Sequence, residues 1–249
     1  MGTPLLEIEN AIATITLRRP EKANRLTPED LIALADHINT VNQDASVLVL
    51  QLKANGKTFC AGYDIAQLGE AKTVGFDQVA DALETARPVT MALIQGGVYG
   101  GATDLALACD FRIGASHIEM FMPAARLGLH YYPSGMQRYV SRLGVNAAKR
   151  LFLTAERLDA KEMKAIGFLT HLVEPEELPD TAVELTTRLV GMAPMALLGM
   201  KQYLNLIAQG RPTELDAVHA TIKKISLSSD LIEGRSAWLE KRKPLFTGK

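Results

Sequence analysis

Two glycine-bearing segments hold the residues best suited to chemistry. They are Phe59-Cys60-Ala61-Gly62-Tyr63-Asp64-Ile65 and Gly96-Gly97-Val98-Tyr99-Gly100-Gly101-Ala102-Thr103-Asp104-Leu105, each set between a strand-like apolar run and a helix-like one. A turn of this kind can aim a backbone N–H outward, and glycine lets a second chain or a ligand come close to the backbone. Two such N–H groups aimed at one point form an oxyanion hole, which stabilises charge developing on a carbonyl oxygen. One Gly-Gly pair alone would read as a tight turn; the pairing of two segments points to a site.

Titratable and hydroxyl groups lie close by. Asp104, three residues past Gly101, is either an acid or base whose pKa burial would raise, or a carboxylate that stabilises a helix N-terminus. Asp64 reads as the N-cap of a short helix through Leu68. The loop Leu127-Gly128-Leu129-His130-Tyr131-Tyr132-Pro133-Ser134-Gly135 is polar and aromatic. A tyrosine, with an ordinary pKa of about 10, is a poor base at neutral pH and a good hydrogen-bond donor. For Tyr131 the competing role is a packed ring with its hydroxyl tied to backbone. His130 reads as a surface or pocket-rim residue, and His37, His117, His171 and His219 have no identifiable partners in the sequence.

The apolar spacing supplies elements to carry these groups. Leu5 to Glu9 and Ile12 to Leu17 predict a hairpin turned at Asn10. Thr27 as N-cap, Pro28, and the acids Glu29 and Asp30 start a helix that runs to Gln43, with Leu31, Leu34, Ala35 and Ile38 inward. Val47 to Leu52 is an apolar strand of the kind covered on both faces, followed by a turn at Asn55-Gly56. Phe76 to Thr85 has helical spacing, ended by Arg87-Pro88 before the strand Val89 to Ile94. Gly101 to Ala108 predicts a buried helix and Asp110 to Ile113 a strand. From Ser134 onward helices dominate, broken by an extended stretch at Leu169 to Val173. This order predicts an α/β protein with right-handed ββα crossovers, a core over residues 1–190 and a helical region over residues 191–249. No stretch repeats at a fixed period.

Composition narrows the function classes. The 249 residues are 47% hydrophobic, enough for a sizeable core, and the formal charge of −1 offers no basic field for nucleic acid. Cys60 and Cys109 lack metal-ligand spacing and read as reduced, buried thiols, so no metal is expected. No apolar run approaches membrane length and Met1 to Leu5 has no signal pattern, so a cytoplasmic protein without a membrane partner is expected. Met1-Gly2 does not begin a myristoylation signal, because Leu6 stands where Ser or Thr is needed.

Further motifs follow in order. They are Arg19-Pro20-Glu21-Lys22-Ala23-Asn24, Cys109-Asp110, a stretch from Leu143-Gly144 to Gly167 containing Leu153-Thr154 and Asp159-Ala160-Lys161, and the tail Glu233 to Phe246. Together with the two glycine segments, they resemble the crotonase (enoyl-CoA hydratase/isomerase) superfamily over nearly the whole chain. The resemblance implies a crotonase-like spiral of ββα turns with a C-terminal helical trimerisation region, and a homotrimer or dimer of trimers. It implies an acyl-CoA substrate, of the kind handled in fatty acid metabolism, whose enolate sits in an oxyanion hole. CoA is then part of the substrate and no separate cofactor is expected. By the same resemblance the backbone amides of Tyr63 and Gly101 are the oxyanion donors. Substrate or CoA contacts are expected at Lys22, Ala23, Ala61, Ile65, Tyr99, Lys243 and Phe246. Solvated surface charge is the competing role for each lysine.

Family hydratases use two glutamates to activate water and deliver a proton in concert. Here those positions hold Asp104 and, in Met122-Pro123-Ala124, Ala124. Efficient two-glutamate hydration is therefore not expected, and Asp104 stands open between a catalytic and a structural role. Tyr131 falls where methylmalonyl-CoA decarboxylases of the family carry an active-site tyrosine. Tyr99 before the Gly-Gly pair and the Lys241-Arg242-Lys243-Pro244 tail are also similar to theirs. Tyr63 departs from the His of those enzymes and Asp104 from their Glu. Loss of CO2 from a 2-carboxyacyl thioester needs an oxyanion hole and an oriented carboxylate but no general base. Tyr63, Tyr99, Tyr131 and Tyr132 predict a narrow, polar rim suited to a short or carboxylated acyl group. The expected activity is that of a crotonase-family lyase or isomerase, with decarboxylation as one alternative and a non-catalytic CoA-binding homologue as the alternative of another class.

Overall fold

A computed structural model describes residues 2–67, 74–211 and 215–249. The strands β1 (Leu5–Glu9) and β2 (Ile12–Leu17) form the expected antiparallel hairpin, with Glu9 opposite Ile12 and Asn10 at φ +53° in the turn. Strand β2 then pairs in parallel with β3 (Val49–Ala54), and the sheet continues in parallel through β5 (Val89–Ile94), β7 (Phe111–Ala115) and β10 (His171–Val173). All six residues of β5 are buried. That is the apolar, two-faced burial of a central parallel strand.

A second sheet of very short strands runs in the order β4 (Thr58–Cys60), β6 (Gly97–Tyr99), β8 (Glu119–Phe121) and β9 (Leu158–Asp159). It was not predicted, because two or three residues carry no readable alternation. The chain passes three times from the large sheet to the small one and then into a helix. The three turns are β3-β4-α2 (Phe76–Glu84), β5-β6-α3 (Gly101–Ala108) and β7-β8-α4 (Pro133–Lys149). This is the expected spiral of ββα turns. Helix α3 is buried at every position after Gly101, which places it inside the core.

Strands β3 and β7 each run two residues further than expected and β10 starts two residues later, and two of the shifted starts have local reasons. Strand β3 starts at Val49, because Val47 donates to the Asp44 carbonyl in a turn while its own carbonyl accepts from Arg87 at 2.6 Å. Strand β7 starts at Phe111, because Asp110 is engaged through its side chain, accepting from the Thr90 N–H at 2.7 Å. The first helix, α1 (Pro28–Gln43), has the predicted bounds, with the Thr27 N–H donating to the Asp30 carboxylate at 3.0 Å.

After α5 (Ala160–Ala165) and α6 (Leu178–Val190) come α7 (Pro194–Ala208), α8 (Leu215–Ser226) and α9 (Ser229–Glu240). Lys201 of α7 pairs with Asp110 at 2.8 Å, tying this helix to the sheet. Among the described residues no helix is long and apolar enough to cross a membrane, and no group of three or more His, Cys, Asp or Glu could hold a metal.

Cys60 and Cys109 are free and buried, and burial pushes both thiols up to about 12. A thiol raised in this way stays protonated below that pH and is a poor nucleophile. The native protein at pH 8 is expected to show no thiol reactive toward a disulfide reagent, and two after denaturation. A rapidly titrating thiol in the native state would contradict the packing of the first glycine segment.

Candidate active site

The N-terminal motif folds into a loop that staples the first glycine segment in place. A 3-10 turn over Pro20–Lys22 ends in Ala23 and Asn24, both with left-handed backbone. The buried Asn24 amide donates to the Asn55 and Thr58 carbonyls, each at 2.8 Å, and its oxygen accepts from the Arg19 N–H. The Ala61 N–H donates to the Ala23 carbonyl at 2.9 Å, Leu26 N–H to Gly62, and Asp64 N–H to Leu26. These bonds gather Lys22, Ala23, Ala61, Tyr63 and Ile65 into one neighbourhood, with Lys22 and Ile65 exposed. Asp64 accepts from the Ala66 N–H and faces Arg25 at 3.3 Å, capping a 3-10 turn over Ile65–Gln67. Leu68, the expected end of that helix, lies outside the described residues.

The two glycine segments touch. Gly62 has φ +87°, and a Cβ built on it would stand 2.7 Å from the Tyr99 carbonyl oxygen and 3.1 Å from the Gly101 nitrogen. Gly101 is the first residue of α3, where an N–H has no acceptor inside the helix. Phe76, at the start of α2, packs edge-on to Tyr63 with centroids 6.5 Å apart and also covers Gly101, so one ring braces both loops.

One turn along α3 from Gly101, Asp104 is wholly enclosed. Its Oδ2 takes the Arg138 Nη1 at 2.6 Å and the Tyr132 hydroxyl, while Oδ1 has no hydrogen-bond partner among the described residues. The Tyr131 hydroxyl donates to that of Tyr132 at 3.2 Å, and the two rings stack 4.3 Å apart. Burial pushes the Asp104 carboxyl above the usual carboxylate range, and the Arg138 guanidinium and Tyr132 hydroxyl offset only part of that rise. Burial and the Asp104 charge push both tyrosines up, which keeps them protonated.

A family model described as enoyl-CoA hydratase/isomerase matches residues 7–249. The chain belongs to this family, the crotonases. A short-chain-enoyl-CoA hydratase of Clostridium acetobutylicum is 31% identical, with 98% of this chain and 97% of that one covered. The methylmalonyl-CoA decarboxylase of Escherichia coli is 27% identical over 96% and 95%. The crystal structure of the enoyl-CoA hydratase from Bacillus anthracis superimposes with a TM-score of 0.88 at 27% identity, covering both chains in full.

Not every residue expected from the crotonase resemblance joins the site. The Tyr99 ring lies against Phe121 and the Arg157 guanidinium, and its hydroxyl donates to Glu119 at 2.9 Å. It is turned toward the β8–β9 edge, and among the described residues no hydrogen bond or ring contact joins it to Tyr131 or Tyr132 of the expected rim. The C-terminal tail folds back on α9, where Asp230 accepts from the Thr247 and Gly248 N–H groups and Glu233 from Leu245. Phe246 lies against Gly234, and Lys243 is exposed. Among the described residues no hydrogen bond or ring contact joins this tail to the glycine loops. Ala124 is buried at the start of a 3-10 turn. His130 is exposed, with its Nδ1 at 2.8 Å from the Tyr131 carbonyl.

Sequence reasoning missed Phe76, Arg138, Glu84 and the role of Tyr132. One signal was available: Glu84 interrupts the apolar face Val79, Ala80, Leu83 of α2, and Arg138 recurs four residues later as Arg142 on α4. Charges on apolar faces are expected to be paired.

Gly62→Ala is expected to cost about 2 kcal/mol of stability through backbone strain and the clash with the second loop. Gly128→Ala, where φ is +67° and an added Cβ meets nothing within 4 Å, should show the strain alone. Denaturation midpoints of the two variants measure the difference. Equal losses would mean that the loops do not need their close approach.

Proposed function

We propose that the protein acts on an acyl-CoA thioester by stabilising its enolate between the backbone amides of Tyr63 and Gly101, with Tyr131 at the acyl end and without the paired carboxylates of an efficient hydratase. The observation that carries this reading is the state of Asp104, whose carboxylate is enclosed and engaged by Arg138 and Tyr132. Alanine at position 124 leaves the second of the two glutamate positions of family hydratases without a carboxylate. Deprotonation, decarboxylation and hydration of an acyl-CoA all place negative charge on the thioester oxygen. One preorganised N–H there is worth about 2.7–4 kcal/mol, and the head of α3 adds its positive end.

The remaining assignments follow from the same reading. Lys22, Ala23, Ala61 and Ile65 form the CoA side of the site, where an exposed ammonium meets phosphate as a point charge. Residues 1–190 form the catalytic core, and residues 191–249 join copies of the chain as a trimer or dimer of trimers. Exposure of Trp238 at 84% and Leu239 at 80% supports an association face there. Lys243 and Phe246 then serve the CoA site of a neighbouring copy. Light scattering on the purified protein is expected to give a trimer or hexamer mass, and a monomer would sink this assignment.

A second reading within the same chemistry is decarboxylation of a short 2-carboxyacyl-CoA. It is favoured by Tyr131, a neutral donor two hydrogen bonds from Asp104, whose hydroxyl among the described residues makes one bond, 3.2 Å long, to Tyr132. Loss of CO2 needs such a donor to orient the carboxylate and no base.

Mass spectrometry of incubations with crotonyl-CoA and methylmalonyl-CoA tests both readings. Slow or absent water addition is expected, and CO2 loss from methylmalonyl-CoA selects decarboxylation. Rapid hydration of crotonyl-CoA would overturn the argument from Asp104 and Ala124. Tyr131→Phe should lower kcat/KM about tenfold to a hundredfold, the equivalent of one hydrogen bond to a charged group.

A further inference from the structure

Arg138 is a wholly buried cation, and its guanidinium serves three carboxylates on two helices. It meets Asp104 of α3 at 2.6 Å and, on α2, Asp81 at 2.6 Å and Glu84 at 3.1 Å. Arg142, one turn further along α4, shares Glu84 at 3.1 Å and also donates to the Leu107 and Cys109 carbonyls. Of the three carboxylates, Asp104 is the one that connects onward, through the Tyr132 hydroxyl to that of Tyr131.

The protonation of Asp104 decides which way this chain of hydroxyls runs. An ionised carboxylate only accepts, so Tyr132 must donate to it, and the Tyr132 oxygen is left to accept from Tyr131. A protonated carboxyl would donate to Tyr132 instead and release the Tyr132 hydrogen outward. We propose that Arg138 is a positioning residue that holds Asp104 as an ionised acceptor, commits the Tyr132 proton inward, and leaves Tyr131 as the hydroxyl that donates to a substrate oxygen. This rests on the reading that Tyr131 meets the acyl group.

The surroundings fit this assignment. From α4, Arg138 is the cation in contact with Asp104, and Arg142 is occupied by Glu84 and backbone carbonyls. From α2, Glu84 and Asp81 add negative charge, which favours a proton on Asp104 if Arg138 is removed. The Tyr139 hydroxyl, which lies on α4 close behind, is paired with that of Thr103. The inner bond of the chain, from Tyr132 to Asp104, ends on a charged acceptor. The outer bond, 3.2 Å long, is the one a substrate oxygen can displace.

Infrared difference spectroscopy reads the proton on Asp104 without any substrate. Wild type against Asp104→Asn at pH 7 is expected to show loss of a carboxylate stretch and no loss of a protonated-carboxyl C=O stretch. Arg138→Gln should gain a protonated-carboxyl band that disappears in the Arg138→Gln/Asp104→Asn double variant. With methylmalonyl-CoA as the probe, Tyr131→Phe should lose about tenfold or more in kcat, Arg138→Lys should recover most of what Arg138→Gln loses, and Arg138→Gln should lose little more in a Tyr132→Phe background, where the chain it acts through is already cut. A protonated-carboxyl band lost between wild type and Asp104→Asn overturns the proposal, even if Arg138→Gln does not fold. An Arg138→Gln loss as large in the Tyr132→Phe background as in the wild type also overturns it. Failure of the protein to bind or convert methylmalonyl-CoA counts against the functional reading alone, and the infrared result then decides the order of the protons.

Discussion

The buried guanidinium of Arg138 is the contact on which the rest of the site depends. Taking an arginine and two carboxylates out of water is costly, and such a network is favourable only when its geometry leaves few donors or acceptors unmatched. Here it joins helices from three successive turns of the spiral, α2 through Asp81 and Glu84, α3 through Asp104, and α4 through Arg138 itself. The start of each of those helices is also where the site is built. Phe76 opens α2, Gly101 opens α3, and Tyr131 and Tyr132 precede α4. Locking the helix bodies together therefore sets the distances among the groups at their heads.

The spiral presents those heads on one side for a topological reason. In each turn the chain leaves a strand of the large sheet, adds a few residues to the small sheet, and enters a helix. Parallel pairing of successive strands makes the turns stack, so equivalent points in each turn lie next to one another. The contact between Gly62 and Gly101 is such a pair of equivalent points, just after β4 and β6. The architecture repeats although the residues do not, because what each turn must conserve is a pattern of burial and a place for glycine.

The same packing separates two kinds of polar residue. Asn24 is buried with its amide fully used on backbone, and it serves the shape of the N-terminal loop. Asp104 has one oxygen fully used and the other enclosed without a partner among the described residues. Removal from water and a neighbouring arginine act on it in opposite directions, and the balance is struck by residues far away in the chain.

Local signals were enough for much of this protein. The hairpin of β1 and β2, the bounds of α1, the two-faced burial of β5 and the enclosed helix α3 follow from apolar spacing and capping residues, which act over a few residues and leave a direct trace in sequence. The ordered motifs likewise made the family legible from end to end. What they left open depended on partners at long range. The fate of Asp104 turned on Arg138, 34 residues on, and on α2 packing behind it. Tyr99 lies on a strand too short to show an alternation, and its direction was settled by Glu119 and Arg157 across the small sheet. Composition and order determined which elements form and which family they build. Only the tertiary structure decided which charges meet, because an ion pair between two helices depends on how they pack and leaves no periodic mark on either one.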